Sequence, residues 1–176
     1  IAPGCKIWHF SHIMQGSKLG EGCNIGQNVV ISPQVLLGRN CKVQNNVSVY
    51  TGVTCGDDVF LGPSCVFTNV VNPRSAVNRK SEYLETHVGT GASIGANATI
   101  VCGHNIGEYA FIGAGAVVVE DIPPYALVVG NPSRQIGWMS RMGAKLEFNE
   151  DSSGRKIAVC PLGGEKYLLE DNRVII

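Results

Sequence analysis

From Ile1 to Phe67 every sixth residue is apolar: Ile1, Ile7, Ile13, Leu19, Ile25, Ile31, then Leu37, Val43, Val49, Cys55, Leu61 and Phe67. The pattern stops and resumes in a new frame at Val88, Ile94, Ile100, Ile106, Ile112 and Val118. A period of six fits neither a helix (3.6) nor a simple strand (2), so it marks a structural repeat. The fifth residue of each hexad is small or β-branched, as in Cys23, Val29 and Val35, with His104 the exception. The fourth is Gly, Asn or Asp in 13 of 18 hexads. Those residues tolerate the positive φ of a sharp corner. Each hexad therefore predicts a short strand followed by a corner. Three hexads close one triangular coil of 18 residues, and six coils stack to roughly 29 Å.

The period extends to the cysteines. Cys5, Cys23 and Cys41 lie 18 apart, so they stack at one inward position of successive coils, followed by Val59. Cys65 takes another fifth position and Cys55 a first position. This predicts small core hydrophobes rather than disulfides or metal ligands. Cys160-Pro161-Leu162-Gly163-Gly164 is half of a zinc knuckle without a second half, so no metal is expected. The formal net charge is zero, which gives no reason to expect nucleic acid or an anionic membrane as partner. No apolar run is long enough to span a bilayer and no signal peptide is visible, so a cytoplasmic protein is expected. The repeat is already running at Ile1, which is compatible with a further coil or half coil upstream.

Residues 73–87 leave the six-residue frame and must protrude from a corner. They carry Arg74, Arg79 and Lys80, three of the fourteen basic residues, within seven positions. That concentration predicts a clamp for an anionic substrate or an arm to a neighbouring subunit. Gln27, Gln44 and Asn45 form a polar cluster on consecutive coils that could bond a nucleotide or sugar; Gln44 takes a position often given to Gly. Residues 133–144 are expected to form a short helix in which Trp138 and Met139 pack the open end, and 145–176 a small β-hairpin.

The C-terminal end of the repeat, Ile112-Gly113-Ala114-Gly115-Ala116-Val117-Val118 followed by Asp121-Ile122-Pro123-Pro124 and Gly130-Asn131-Pro132-Ser133-Arg134, resembles the acyl-CoA-binding end of hexapeptide-repeat acyltransferases. The resemblance implies a left-handed parallel β-helix over residues 1–132 and acetyl-CoA as co-substrate without a metal. It also implies a homotrimer with sites between subunits. Ala96 and Ala114 then border the pantetheine, with Pro132 and Arg134 near the adenosine phosphate. Val119-Glu120 stand where family members often have Thr-Lys, which leaves more of that phosphate contact to Arg134, with Arg141 or Lys145 as further supply.

A longer stretch, from Phe67-Thr68-Asn69-Val70 through Asn72-Pro73-Arg74 to the "GASIGANATIVCGH" segment, with Ile7-Trp8-His9-Phe10 upstream, resembles a narrower group. These are bacterial UDP-2-acetamido-3-amino-2,3-dideoxy-glucuronate N-acetyltransferases of O-antigen synthesis. What the resemblance implies is acetyl transfer to a sugar amine of a UDP-linked substrate. Asn69 stands near the place of the catalytic His of O-acetyltransferases of this fold. An amide cannot serve as a base, which suits an amine acceptor better than a hydroxyl. The chain departs from the group around Glu85-Thr86-His87-Val88. His104, expected in the inward stack Val35, Val53, Val71, His104, is the second catalytic candidate because an imidazole titrates near neutrality. It supports an alternative O-acetyltransferase reading. A γ-type carbonic anhydrase needs three His ligands, and His9, His12, His87 and His104 are not spaced for them. A non-catalytic structural β-helix is disfavoured by the CoA-like end.

Overall fold

The computed structural model describes all 176 residues. The hexads form a three-sided parallel β-solenoid. On the first face the strands Lys6–Ile7, Asn24–Ile25, Lys42–Val43, Phe60–Leu61, Ser93–Ile94, Phe111–Ile112 and Ala126–Val129 pair in that order. The second face runs from His12–Ile13 to Val117–Val118. The third runs from Lys18–Leu19 through Val53–Cys55 to Thr86–Val88 and continues as single bridges through Ile106 and Ile122. The first face therefore carries one strand more than six full coils supply.

Corners form where small or positive-φ residues were expected. All fourth-position residues except Val70 and Asp121 have positive φ, including Asn28, Asn40, Asn46 and Asp58. Their side chains also bond along the stack: Asn28 Nδ2 donates to Asn46 Oδ1 at 3.0 Å, and Asn40 Nδ2 to Asp58 Oδ1 at 2.7 Å. Where no side chain fits, Gly is required. A Cβ on Gly95 would lie 2.5 Å from the backbone nitrogen of Ala114 one coil above.

The core is the inside of the prism, and the first-position residues from Leu19 onward are buried. Ile7, in the end coil, is 42 % exposed because only one neighbouring coil covers it. The cysteine stack forms as expected. Cys5, Cys23 and Cys41 each donate an S–H to a glycine carbonyl 15 residues on, Gly20, Gly38 and Gly56, at 3.1–3.2 Å. All seven cysteines are free.

Four expectations change. Residues 133–144 are not helical: Arg134–Met139 is a strand running antiparallel on Ala126–Val129, with Ala126 opposite Trp138. The last solenoid strand would otherwise leave its amides and carbonyls unpaired at an open edge, and the returning chain satisfies them. Residues 145–176 are more than a hairpin: Lys145–Leu146 extends the first face, and four antiparallel strands between Asn149 and Ile175 form a separate sheet. The solenoid resumes at Thr86, not Val88, because Thr86 pairs with Val53. Thr86 therefore takes the inward place expected for Val71, which is 55 % exposed. Finally, Ile122 is a first-position residue bridged to Ile106, so the corner after Val118 is two residues short.

Tyr125 joins the solenoid to the C-terminal sheet. It stacks on Tyr109 (5.3 Å between centroids) and meets Tyr167 edge-on. Arg141 lies over Tyr109, donates to the Tyr125 hydroxyl at 3.3 Å, and its amide donates to the Tyr167 hydroxyl at 3.0 Å.

Candidate active site

The solenoid is interrupted at the edge between the second and third faces. After Val66–Phe67 the chain leaves the stack, forms a single 3-10 turn at Lys80–Glu82, and re-enters at Thr86–Val88. Excursion and return are pinned together: the Leu84 amide donates to the Asn69 carbonyl at 3.0 Å, and the Gly103 amide to the Glu85 carbonyl at 3.1 Å. Leu84 packs against Gly103, and the loop buries Cys102, whose amide is taken by the Thr68 hydroxyl at 2.9 Å.

Inside the loop is a hollow of about 280 Å³ bordered by Asn69, Arg74, Arg79, Lys80, Val77 and Tyr83. Asn69 and all three cations singled out in the sequence thus share one concavity. The Asn69 carboxamide is half-buried and makes no hydrogen bond in the chain. Arg79 is partly neutralised by Glu82 at 2.7 Å, and its buried Nε has no partner. Arg74 bonds only the Pro73 carbonyl (3.0 Å), and Lys80 has no carboxylate partner, so both keep their charge free. Glu82, Tyr83 and Leu84 were not expected here; their roles depend on how the loop folds back.

His104 lies on this edge one coil above, in the inward column Val35, Val53, Thr86, His104. It is half-buried rather than enclosed, since the corner above it is the shortened one, and its ring makes no hydrogen bond. The Thr86 hydroxyl beneath it is buried without a partner.

The other candidates lie elsewhere. Gln27, Gln44, Asn45, Ala96 and Ala114 follow one another up the edge between the first and second faces. The turn that carries Pro132 tops the same edge, clipped to Val117 by the Ser133 amide at 2.8 Å, with Arg134 exposed beside it. Six residues separate one edge from the next, at most about 20 Å of chain. One chain therefore holds two groups of candidate residues, one on either side of its second face.

Residues 1–33 match the family "bacterial transferase hexapeptide (six repeats)", and residues 18–51 and 86–120 match the "hexapeptide repeat of succinyl-transferase". The loop falls in the gap between the last two segments. A dTDP-3-amino-3,6-dideoxy-α-D-galactopyranose 3-N-acetyltransferase of Aneurinibacillus thermoaerophilus is 44% identical over 99% of the chain and 87% of that protein. The chain belongs to the hexapeptide-repeat acetyltransferases. Among solved structures, a perosamine N-acetyltransferase variant from Caulobacter crescentus, crystallised with CoA and GDP-perosamine, superposes with a TM-score of 0.66 at 25% identity over 76% of the chain. The chain spans 56% of that protein. A maltose O-acetyltransferase from Clostridium difficile 630 gives a TM-score of 0.61 at 30% identity, covering 72% of this chain and 71% of that one.

The hexapeptide-repeat acetyltransferase described here is thus an acetyl-CoA-dependent acyltransferase with the left-handed β-helix of its family. The edge below Pro132 suits the cofactor. The amides of Ala96 and Ala114 have no acceptor in the chain, and both side chains stop at Cβ, so an extended pantetheine can reach backbone donors directly. The Ala96 carbonyl is already taken by the Gly115 amide at 2.8 Å, which leaves the Ala114 carbonyl as the free acceptor. Arg134 is an exposed cation at the top of this edge. Arg141 is not available there, being held in the tyrosine cluster. No group of His, Cys, Asp and Glu is arranged to hold a metal. No helix is long and apolar enough to cross a membrane.

Proposed function

We propose that this enzyme transfers the acetyl group of acetyl-CoA to the 3-amine of a nucleoside-diphosphate-linked 3-amino sugar. The observation that carries the reading is the loop hollow, where an unbonded carboxamide, Asn69, faces free cations and no carboxylate or cysteine stands as nucleophile or base. The neutral amine supplies its own lone pair. It attacks the thioester carbonyl carbon, and the π electrons move to oxygen. The Asn69 Nδ2 donates to the substrate and steadies this tetrahedral species. Collapse breaks the C–S bond. The thiolate, with a conjugate-acid pKa near ~8.5, takes the proton released by the nitrogen. The products are the acetamide and free CoA thiol.

Charge bears on the sugar. Glu82 occupies Arg79, so Arg74 and Lys80 supply two free positive charges, which a diphosphate consumes. A uronate carboxylate would need a third. This favours a sugar uncharged at C5, such as the 3-amino-3,6-dideoxyhexose named for the 44% identical relative, over the UDP-2-acetamido-3-amino-uronate expected from sequence.

The two groups flanking the second face, read as half-sites, support a trimer. The outward residues of the second face are His12, Val30, Ser48, Val66, Thr99 and Val117, with no Lys, Arg, Asp or Glu, whereas the other faces present Lys6, Lys18, Lys42 and Asp121. Packing through this face around a threefold axis would bring the cofactor edge of one copy to the loop edge of the next.

O-acetylation with His104 as base is the second reading, favoured by the free ring of His104 one coil from Asn69. The test is release of CoA thiol with acetyl-CoA and a panel containing dTDP-3-amino-3,6-dideoxyhexoses, the UDP-3-amino-uronate and their 3-hydroxy counterparts. The expected result is turnover of the dTDP 3-amino sugars. Turnover of hydroxyl acceptors alone would overturn it.

A further inference from the structure

A second hollow, of about 250 Å³, lies low on the cofactor edge, bordered by Trp8, Asn24, Gln27, Val43, Gln44 and Asn45. Trp8 is 53 % exposed, unusual for the largest apolar side chain. Its ring is nevertheless fixed: Nε1 donates to Asn24 Oδ1 at 2.9 Å. Asn45 is held from the other side, its Oδ1 accepting the Gln27 amide at 2.9 Å, which leaves its NH2 free to donate outward. The carboxamides of Gln27 and Gln44 bond nothing in the chain. Gln44 is also the departure at its corner, where the coils on either side have Gly26 and Gly62. A fixed aromatic face beside free amides, with no charged residue in the lining, matches a flat, neutral, hydrogen-bonding ring.

Height along the prism identifies the ring. Trp8, Gln27 and Gln44 belong to the first three coils, and Asn69 leaves the fourth. The amine must react at the level of Asn69, three strand spacings or about 14 Å above Trp8 along the prism axis. The part of the substrate that reaches this far is not the sugar but the base beyond the ribose and diphosphate. We propose that this hollow is a nucleobase subsite in which Trp8 stacks on the uracil or thymine ring and the Gln44 amide pairs with its 2,4-dione edge, Nε2 donating to a ring carbonyl and Oε1 accepting the imide N–H. The assignment rests on the nucleotide-sugar reading above. It divides the substrate between an uncharged hollow for the base and a cationic one for the diphosphate.

The chain has two tryptophans, and Trp138 is buried, so Trp8 reports directly on the subsite. Intrinsic fluorescence of the intact protein is titrated with UDP, dTDP, ADP and inorganic pyrophosphate. The expected result is saturable quenching by UDP and dTDP, weaker quenching by ADP and none by pyrophosphate. In Trp8→Ala and Gln44→Leu the KM for the nucleotide sugar should rise about 10- to 100-fold for the stacking partner and less for Gln44, with kcat and the acetyl-CoA KM unchanged. An unchanged acetyl-CoA KM also shows that each variant is folded. If nucleotide sugars turn over but neither variant alters their KM, or if pyrophosphate quenches as UDP does, the subsite is wrong and the acetyltransferase reading stands. If UDP and dTDP quench but no amino sugar is acetylated, the subsite stands and the acceptor assignment fails.

Discussion

The Leu84 amide donates to the Asn69 carbonyl at 3.0 Å, so the chain leaves the solenoid and returns to it at one point. The backbone of Asn69 is thereby tied down while its carboxamide stays free over the hollow that Arg74, Arg79 and Lys80 share. On the proposed mechanism, this rigid neck beneath a charged loop would position the amine against the thioester without a dedicated base.

Close stacking of the coils should make the cofactor edge sensitive to one methyl group. In Gly95→Ala the new Cβ meets the Ala114 backbone at 2.5 Å, and the contact cannot be relieved by a side chain. Destabilisation of about 1–3 kcal/mol is expected from such overpacking. Because the displaced group is the Ala114 amide, the acetyl-CoA KM should rise more than that of the sugar. Denaturant midpoints and two-substrate kinetics check this.

A carboxylate on the second face should separate the two half-sites. Val66 is 46 % exposed on one chain and would be enclosed in the proposed trimer. Val66→Glu then buries an unpaired charge at each interface, and burial of that kind is strongly disfavoured. Sedimentation should show a trimer for the wild type and monomers, inactive but folded, for the variant. A fully active monomer would remove the shared-site model.

The cysteine stack predicts an alkaline limit to stability. Burial pushes the Cys41 and Cys65 thiols from 9.0 up to about 12. The unfolded thiols ionise first, so stability is undiminished below about 9 and falls as pH climbs from there towards 12. Between pH 7 and 10.5 the urea midpoint of Cys41→Ala/Cys65→Ala should fall less steeply than that of the wild type. Equal slopes would mean these thiols do not titrate with unfolding.

The sequence made the solenoid legible because each hexad repeats one local solution, with an apolar residue inward and a tolerant residue at the corner. Phe67, Ile94 and Ile112 are fully buried on that rule alone. It failed where the repeat meets something non-repeating. Nothing local excludes a helix over Arg134–Met139, but the open edge of Ala126–Val129 draws it into a strand. The frame was lost across the loop because nothing local distinguishes Val71 from Thr86 as the inward residue; the pairing of Thr86 with Val53 decides it. Of the candidate site, composition alone pointed to Arg74, Arg79 and Lys80. The pairing of Arg79 with Glu82, the shortened corner above His104 and the indole of Trp8 beside Gln44 all depend on contacts between coils or within the folded loop.

The central claim is that Asn69, rather than an ionisable base, serves the transfer. Its most direct test is steady-state kcat for Asn69→Ala and His104→Ala with acetyl-CoA and a dTDP-3-amino sugar. The account predicts that Asn69→Ala loses about 10²-fold or more in kcat, as removal of one donor to a developing oxyanion typically does, while His104→Ala keeps most of its rate and the pH profile of the wild type. Full activity in Asn69→Ala with activity abolished in His104→Ala would contradict it.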